Sequence, residues 1–133
     1  MARTMIGLRG WHPPELLAYG YSSTQSDIYQ LGLVLLTLMT GTHHIPVIND
    51  QAAINQMILD GVPRQAADRL AADVVYGCVA RIVSEMLRRR QEYRFQNCRE
   101  VMLAFEAEFK RLEAEEKKAA QNFDLFNIFK AMK

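Results

Sequence analysis

Several things this chain of 133 residues has little of narrow its class early. It has two cysteines, Cys78 and Cys98, and no Cys-x-x-Cys pair, so neither a disulfide framework nor a zinc knuckle can be read from them. Both are expected as buried thiols in a reducing compartment. An excess of either charge is also missing: 16 Lys and Arg face 15 Asp and Glu, a net charge of +1, which provides no field for nucleic acid or an anionic membrane surface. The longest apolar run, Leu31 to Met39, is interrupted by Gly32 and Thr37 and falls short of the ~20 residues that cross a bilayer. The opening Met1-Ala-Arg-Thr lacks the apolar core of a signal peptide, and a cytoplasmic location is expected. No stretch alternates as a strand would, no internal repeat occurs, and no lysine precedes Lys110.

What is present is helical patterning behind a leader rich in helix breakers. Gly7, Gly10, Pro13, Pro14 and Gly20 make the first twenty residues an extended segment with one short helical turn starting near Pro14. Thr24 is expected to cap the next helix, with Asp27 as its capping-box partner, and the helix runs to Gly41. Its apolar residues, Ile28 through Met39, lie nearly all round, which predicts a central buried helix. After a loop from Thr42 to Asp50, Asp50 caps a helix to Leu59. A further helix is expected over Asp68 to Leu87, with Val75, Val79, Val83 and Met86 on its apolar face and Arg88 to Arg90 at its C-terminal end. Asn97 caps the last one, whose buried stripe is read as Val101, Met102, Phe105, Phe109 and Leu112. Glu106/Lys110 and Glu113/Lys117 pairs are expected along its charged continuation. A second amphipathic stretch, Phe123 to Met132, follows Asn122. The fold class read from this pattern is all-α.

Three segments then resemble one family. Thr4-x-x-Gly7-x-x-Gly10-Trp11-x-Pro13-Pro14-Glu15 is similar to the end of a protein kinase activation segment, the Gly-Thr-x-x-Tyr-x-Ala-Pro-Glu pattern. Asp27-Ile-Tyr29-Gln-Leu31-Gly32 resembles the Asp-x-Trp-Ser-x-Gly signature opening the central helix of the kinase large lobe. Met86-Leu87, followed by Arg94, looks like the Met-Leu-x-x-Asp-Pro-x-x-Arg segment that closes that lobe. They occur in the family's order. The resemblance implies that residues 1–110 are the C-terminal part of the large lobe of a serine/threonine protein kinase-like fold. Residues 111–133 form a charged helical extension with a short amphipathic tail.

On that resemblance Glu15 and Arg94 are a structural ion pair, Asp27 is a structural carboxylate, and Thr4 holds the position of activation phosphorylation. Gly7, Leu8, Gly10 and Trp11 match the loop that receives the substrate peptide. Departures occur at Leu8, where serine/threonine kinases keep a threonine, and at Trp11 for tyrosine, Tyr29 for tryptophan, Pro13 for alanine and Phe95 for proline. The larger departure is absence. No Gly-x-Gly-x-x-Gly loop, Val-Ala-Ile-Lys, His-Arg-Asp or Asp-Phe-Gly occurs, and phosphoryl transfer needs the lysine, magnesium carboxylates and base they carry. The chain is therefore expected to hold no catalytic residue and no cofactor, with ATP and magnesium entering only if it joins a complete kinase domain. No metal site is expected from His43-His44, which lack acidic or cysteine company. The expected partners are a protein or the missing N-terminal kinase half. The reading from another class is a stand-alone pseudokinase-like interaction module. The tail from Phe123 to Met132 is too apolar for a free end and is expected to dock on protein, either this domain or another.

Overall fold

Patterning at helical spacing, with breakers between the apolar runs, gives a chain of short helices and one long one. The structure, a computed structural model, describes residues 10–132. Within them the elements in order are α1 (Pro14–Tyr19), α2 (Thr24–Thr40), α3 (Gln51–Leu59), α4 (Val62–Leu70), α5 (Gly77–Met86), a single 3-10 turn (Gln91–Tyr93) and α6 (Cys98–Ala131). No strand occurs among the described residues. Thr4, Gly7 and Leu8 lie outside them.

The helix starts follow local chemistry. Pro14 opens α1 where its missing N–H is harmless. Asp50 and Asn97 cap α3 and α6, accepting from Ala53 N–H at 3.1 Å and Glu100 N–H at 2.9 Å. At α2 the cap sits one residue earlier than expected. Ser23 is the extended residue, and its N–H donates to Ser26 Oγ at 2.9 Å, so Thr24 is already helical and Asp27 is not the capping partner.

The helix expected over Asp68 to Leu87 is broken: the span holds the last three residues of α4, which starts at Val62, then a turn region, then α5. The carboxylate of Asp73 accepts from the N–H groups of Val75 and Tyr76 at 2.8 and 2.9 Å, a side-chain turn that competes with the helix and breaks it over 71–76. Val75 is turned out to 72% exposure as a result. The main core lies where α2 crosses α5 and α4, with α6 closing its end: Ile28, Leu33 and Leu36 meet Ala67, Val83 and Met86. A smaller cluster, Ile45, Ile54 and Ile58, joins α3 to Leu17 of α1.

Other expectations change because the core is one-sided. Helix α2 is apolar all round but covered on one side only, leaving Leu31, Val34 and Leu38 at 40%, 42% and 74% exposure. Of the stripe expected on α6, Val101 is buried and Phe105 half-buried, whereas Met102, one residue round the helix from Val101, is exposed, and Phe109 and Leu112 are exposed where the helix runs past the end of the domain. Its charged stretch pairs through Arg111, which reaches Glu108 at 2.8 Å and Glu115 at 2.5 Å, instead of through the lysine pairs expected. Nothing breaks at Asn122: the helix continues for 34 residues, about 50 Å, with Phe123 to Met132 exposed on its last turns. Cys78 is half-buried and Cys98 exposed, so neither thiol is buried as expected.

Gly32 sets how closely α2 and α5 approach. A Cβ there would stand 3.0 Å from Met86 Cβ and 3.1 Å from Leu87 Cδ2. Gly32→Val is therefore expected to lower stability by about 1–3 kcal/mol through overpacking. Urea denaturation checks this; an unchanged midpoint would mean the two helices are not in contact at this residue.

Candidate functional site

Arginine has five N–H donors and no acceptor, so burying it demands five well-placed oxygens. Arg94 is fully buried and finds all five. Its Nη1 and Nη2 donate to Glu15 Oε1 and Oε2, both at 2.8 Å, a two-pronged pair across 79 residues of chain. Nη1 also donates to the Gln25 carbonyl at 3.0 Å, Nη2 to the Arg89 carbonyl at 3.1 Å and Nε to the Arg88 carbonyl at 2.6 Å. The guanidinium lies 4.8 Å from the centre of the buried Tyr29 ring. Burial alone pushes the Glu15 carboxyl up, but the hydrogen bonds from Arg94 and Ser26 and the charge of Arg94 outweigh it and leave the group below its ordinary value. Burial pushes the Tyr29 phenol well up, so the ring stays neutral beside the pair.

Glu15 is the last residue of an anchored leader. Gly10 has a φ of 85°, in the left-handed region, and a Cβ there would stand 3.0 Å from both His43 Nε2 and Ile45 Cγ2, so only glycine fits. Nε2 of His43 donates to the Gly10 carbonyl at 3.0 Å, which assigns the proton to that nitrogen because a carbonyl only accepts. The same imidazole stacks on Trp11, ring centres 4.3 Å apart and planes 2° from parallel. The Trp11 carbonyl accepts from Gln30 at 3.1 Å. Residues 10–15 are thus tied to the loop before α3, to α2 and to Arg94. For His43 burial is the larger effect and pushes the imidazole down, the Gly10 carbonyl opposes it, and the charge of His44 adds to it. His44 is also lowered, by burial and then by Arg69.

The structure brings Glu15 to Arg94, and Gly10 and Trp11 to His43. Asp27 stands apart, exposed in the first turns of α2. The sequence offers His43 only as a metal-ligand candidate, and its role as a clamp depends on a contact 33 residues away in the chain that no local spacing announces. Among the described residues no three His, Cys, Asp or Glu side chains converge as a metal site would require. Beside the ion pair, Tyr19, Tyr21, Arg89 and Arg90 line an open groove of about 670 Å³.

Glu15→Ala and Arg94→Ala are each expected to cost about 3–5 kcal/mol, the penalty for stranding one partner of a buried pair. The double variant should fall well short of their sum. Thermal melts of the three chains check this, and additive small effects would mean that the pair does not bind leader to core. A second expectation concerns acid. Both imidazoles take up a proton less readily in the folded chain than in the unfolded one. Their contribution to stability is therefore complete above pH 6.5, their ordinary value, and is lost as pH falls through the lowered folded values. The melting temperature should drop across that window, and a His43→Gln/His44→Gln chain should show a flatter profile there. The Glu15 contribution is separate, being lost only below its ordinary value of 4.5.

No family model matches the chain. Curated proteins do match it. It is 32% identical over 87 residues to the dual specificity mitogen-activated protein kinase kinase dSOR1 of Drosophila melanogaster, covering 64% of this chain and 22% of that protein. It is 28% identical over 88 residues to salt tolerance receptor-like cytoplasmic kinase 1 of Oryza sativa subsp. japonica, covering 64% and 24%. It is 26% identical over 95 residues to EPD1-interacting receptor-like cytoplasmic serine/threonine-protein kinase 5D of Gossypium barbadense, covering 57% and 21%. The chain spans less than a quarter of the length of these curated relatives. With kinases matching more than half of the chain, and with its helices and its motif glutamate and arginine arranged as described, the chain is similar to the C-terminal part of the large lobe of a protein kinase.

Proposed function

We propose that this chain serves as the C-terminal portion of a serine/threonine-type kinase large lobe, supplying the peptide-docking segment and the scaffold beneath a phosphotransfer site whose catalytic residues lie in another segment. The observation that carries this reading is the bare side of α2. Leu31, Val34 and Leu38 face outward from a helix whose other side is core, as a helix would when further protein belongs against it. On this reading Thr4 is a phosphoacceptor, and Gly7, Leu8, Gly10 and Trp11 belong to the docking segment. ATP and magnesium then belong to the complementary segment, since this chain has no lysine before Lys110 to hold phosphates. The whole assembly would work in the cytoplasm, where unpaired thiols such as Cys78 and Cys98 persist.

The second reading, a stand-alone interaction module, draws on the exposed apolar turns at the end of α6. A segment encoded beside this chain and carrying His-Arg-Asp and Asp-Phe-Gly separates the two readings. Co-expressed with the chain, it is expected to co-purify and transfer phosphate, and Leu31→Glu/Leu38→Glu should abolish co-purification. Alone, the chain is expected to give no heat on titration with Mg-ATP and no phosphate incorporation into protein substrates; micromolar nucleotide binding would overturn the non-catalytic assignment.

A further inference from the structure

Beyond the domain, α6 has a largely apolar seam at regular spacing, with Glu116 and Lys130 as its charged positions. Phe109, Leu112, Glu116, Ala119, Phe123 and Phe126 follow one another at alternating steps of three and four residues, the heptad spacing of a two-stranded coiled coil, and Lys130 continues it. Every one of these residues is exposed. From this seam we infer that α6 pairs with α6 of a second copy of this chain, antiparallel, about a two-fold axis between residues 117 and 118.

Charge selects both the occupant and the direction. A parallel, in-register pair would set Glu116 against Glu116 and Lys130 against Lys130, and would bring Glu108 beside Glu113 of the other copy. The antiparallel pair removes all three conflicts. Glu116 then faces Ala119, Leu112 faces Phe123 and Phe109 faces Phe126. Lys130, which within its own chain lies over the Phe126 ring, comes opposite Phe105 and next to Glu106 of the other copy. Glu106 makes no ion pair among the described residues, so this contact supplies its counter-charge.

The off-seam residues point the same way. Leu125, Phe129 and Met132 give the last turns of α6 apolar surface on further sides, which a parallel pair would leave in water far from either domain. Antiparallel pairing carries each tail back to the other copy's domain, where Met102 and Leu103 are exposed on the first turns of α6. Such an interface is isologous and closes as a dimer without leaving a free seam.

The test uses the full chain in sedimentation equilibrium and light scattering over the micromolar range. Twice the chain mass is expected, and Phe123→Glu/Phe126→Glu should raise the dimer dissociation constant at least 100-fold while leaving the melt of the helical core unchanged. Leu31→Glu/Val34→Glu, on the bare side of α2, should leave the dimer intact. Direction is read by oxidation in a Cys78→Ser/Cys98→Ser background. Leu112→Cys chains mixed with Phe123→Cys chains should cross-link to each other, and neither should cross-link to itself. A monomeric native chain, association that survives the two phenylalanine changes, or Leu112→Cys chains that cross-link among themselves would each overturn the inference.

Discussion

A buried guanidinium ties the two ends of the helical domain together. Stranded in an apolar interior Arg94 would be ruinous, and with five acceptors it is a fixed joint. Those acceptors come from three parts of the chain: the carboxylate of α1, a carbonyl in the first turn of α2, and the two carbonyls that follow α5. None of these can shift without leaving a donor unsatisfied. The leader therefore takes its place from the geometry at Glu15, and the clamp of His43 on Gly10 and Trp11 sets the remaining slack.

Much of this was legible in the sequence because short-range chemistry decides it. The caps at Asp50 and Asn97 and the proline start of α1 are local events, and the structure has them where the residues stand. Glu15 with Arg94 was legible through motif resemblance alone, since a separation of 79 residues leaves no periodic trace. Where reading failed, a side chain outcompeted the pattern or a surface had no neighbour. Asp73 turns Val75 outward, which helical spacing would bury, and Ser26 displaces Asp27 from the cap of α2. Periodicity assigns the apolar residues of α2 and α6 to the core because it reports which faces are apolar and carries no information on what covers them.

The two uncovered apolar surfaces differ in kind. That on α2 is the reverse of a core helix, continuous with residues packed as in any interior, and it has no charge pattern of its own. That on α6 runs outward from the end of the core past Arg111, which bridges Glu108 and Glu115 along the helix, so it keeps its shape with no domain beneath it. Burying the first would add to the stability of the core helix beneath it, whereas the second leaves the core's packing untouched.

The unbroken backbone of α6 from Cys98 to Ala131 makes it a rod with a defined rotational phase. At 3.6 residues per turn, one residue gained or lost between Leu112 and Phe123 would turn the end of the helix by about 100° relative to the core and move it along the axis by about 1.5 Å. Two such changes would carry the Phe123 and Phe126 face to the far side. The charged stretch between them is in this sense a ruler and a protractor: its length sets where the aromatic end points.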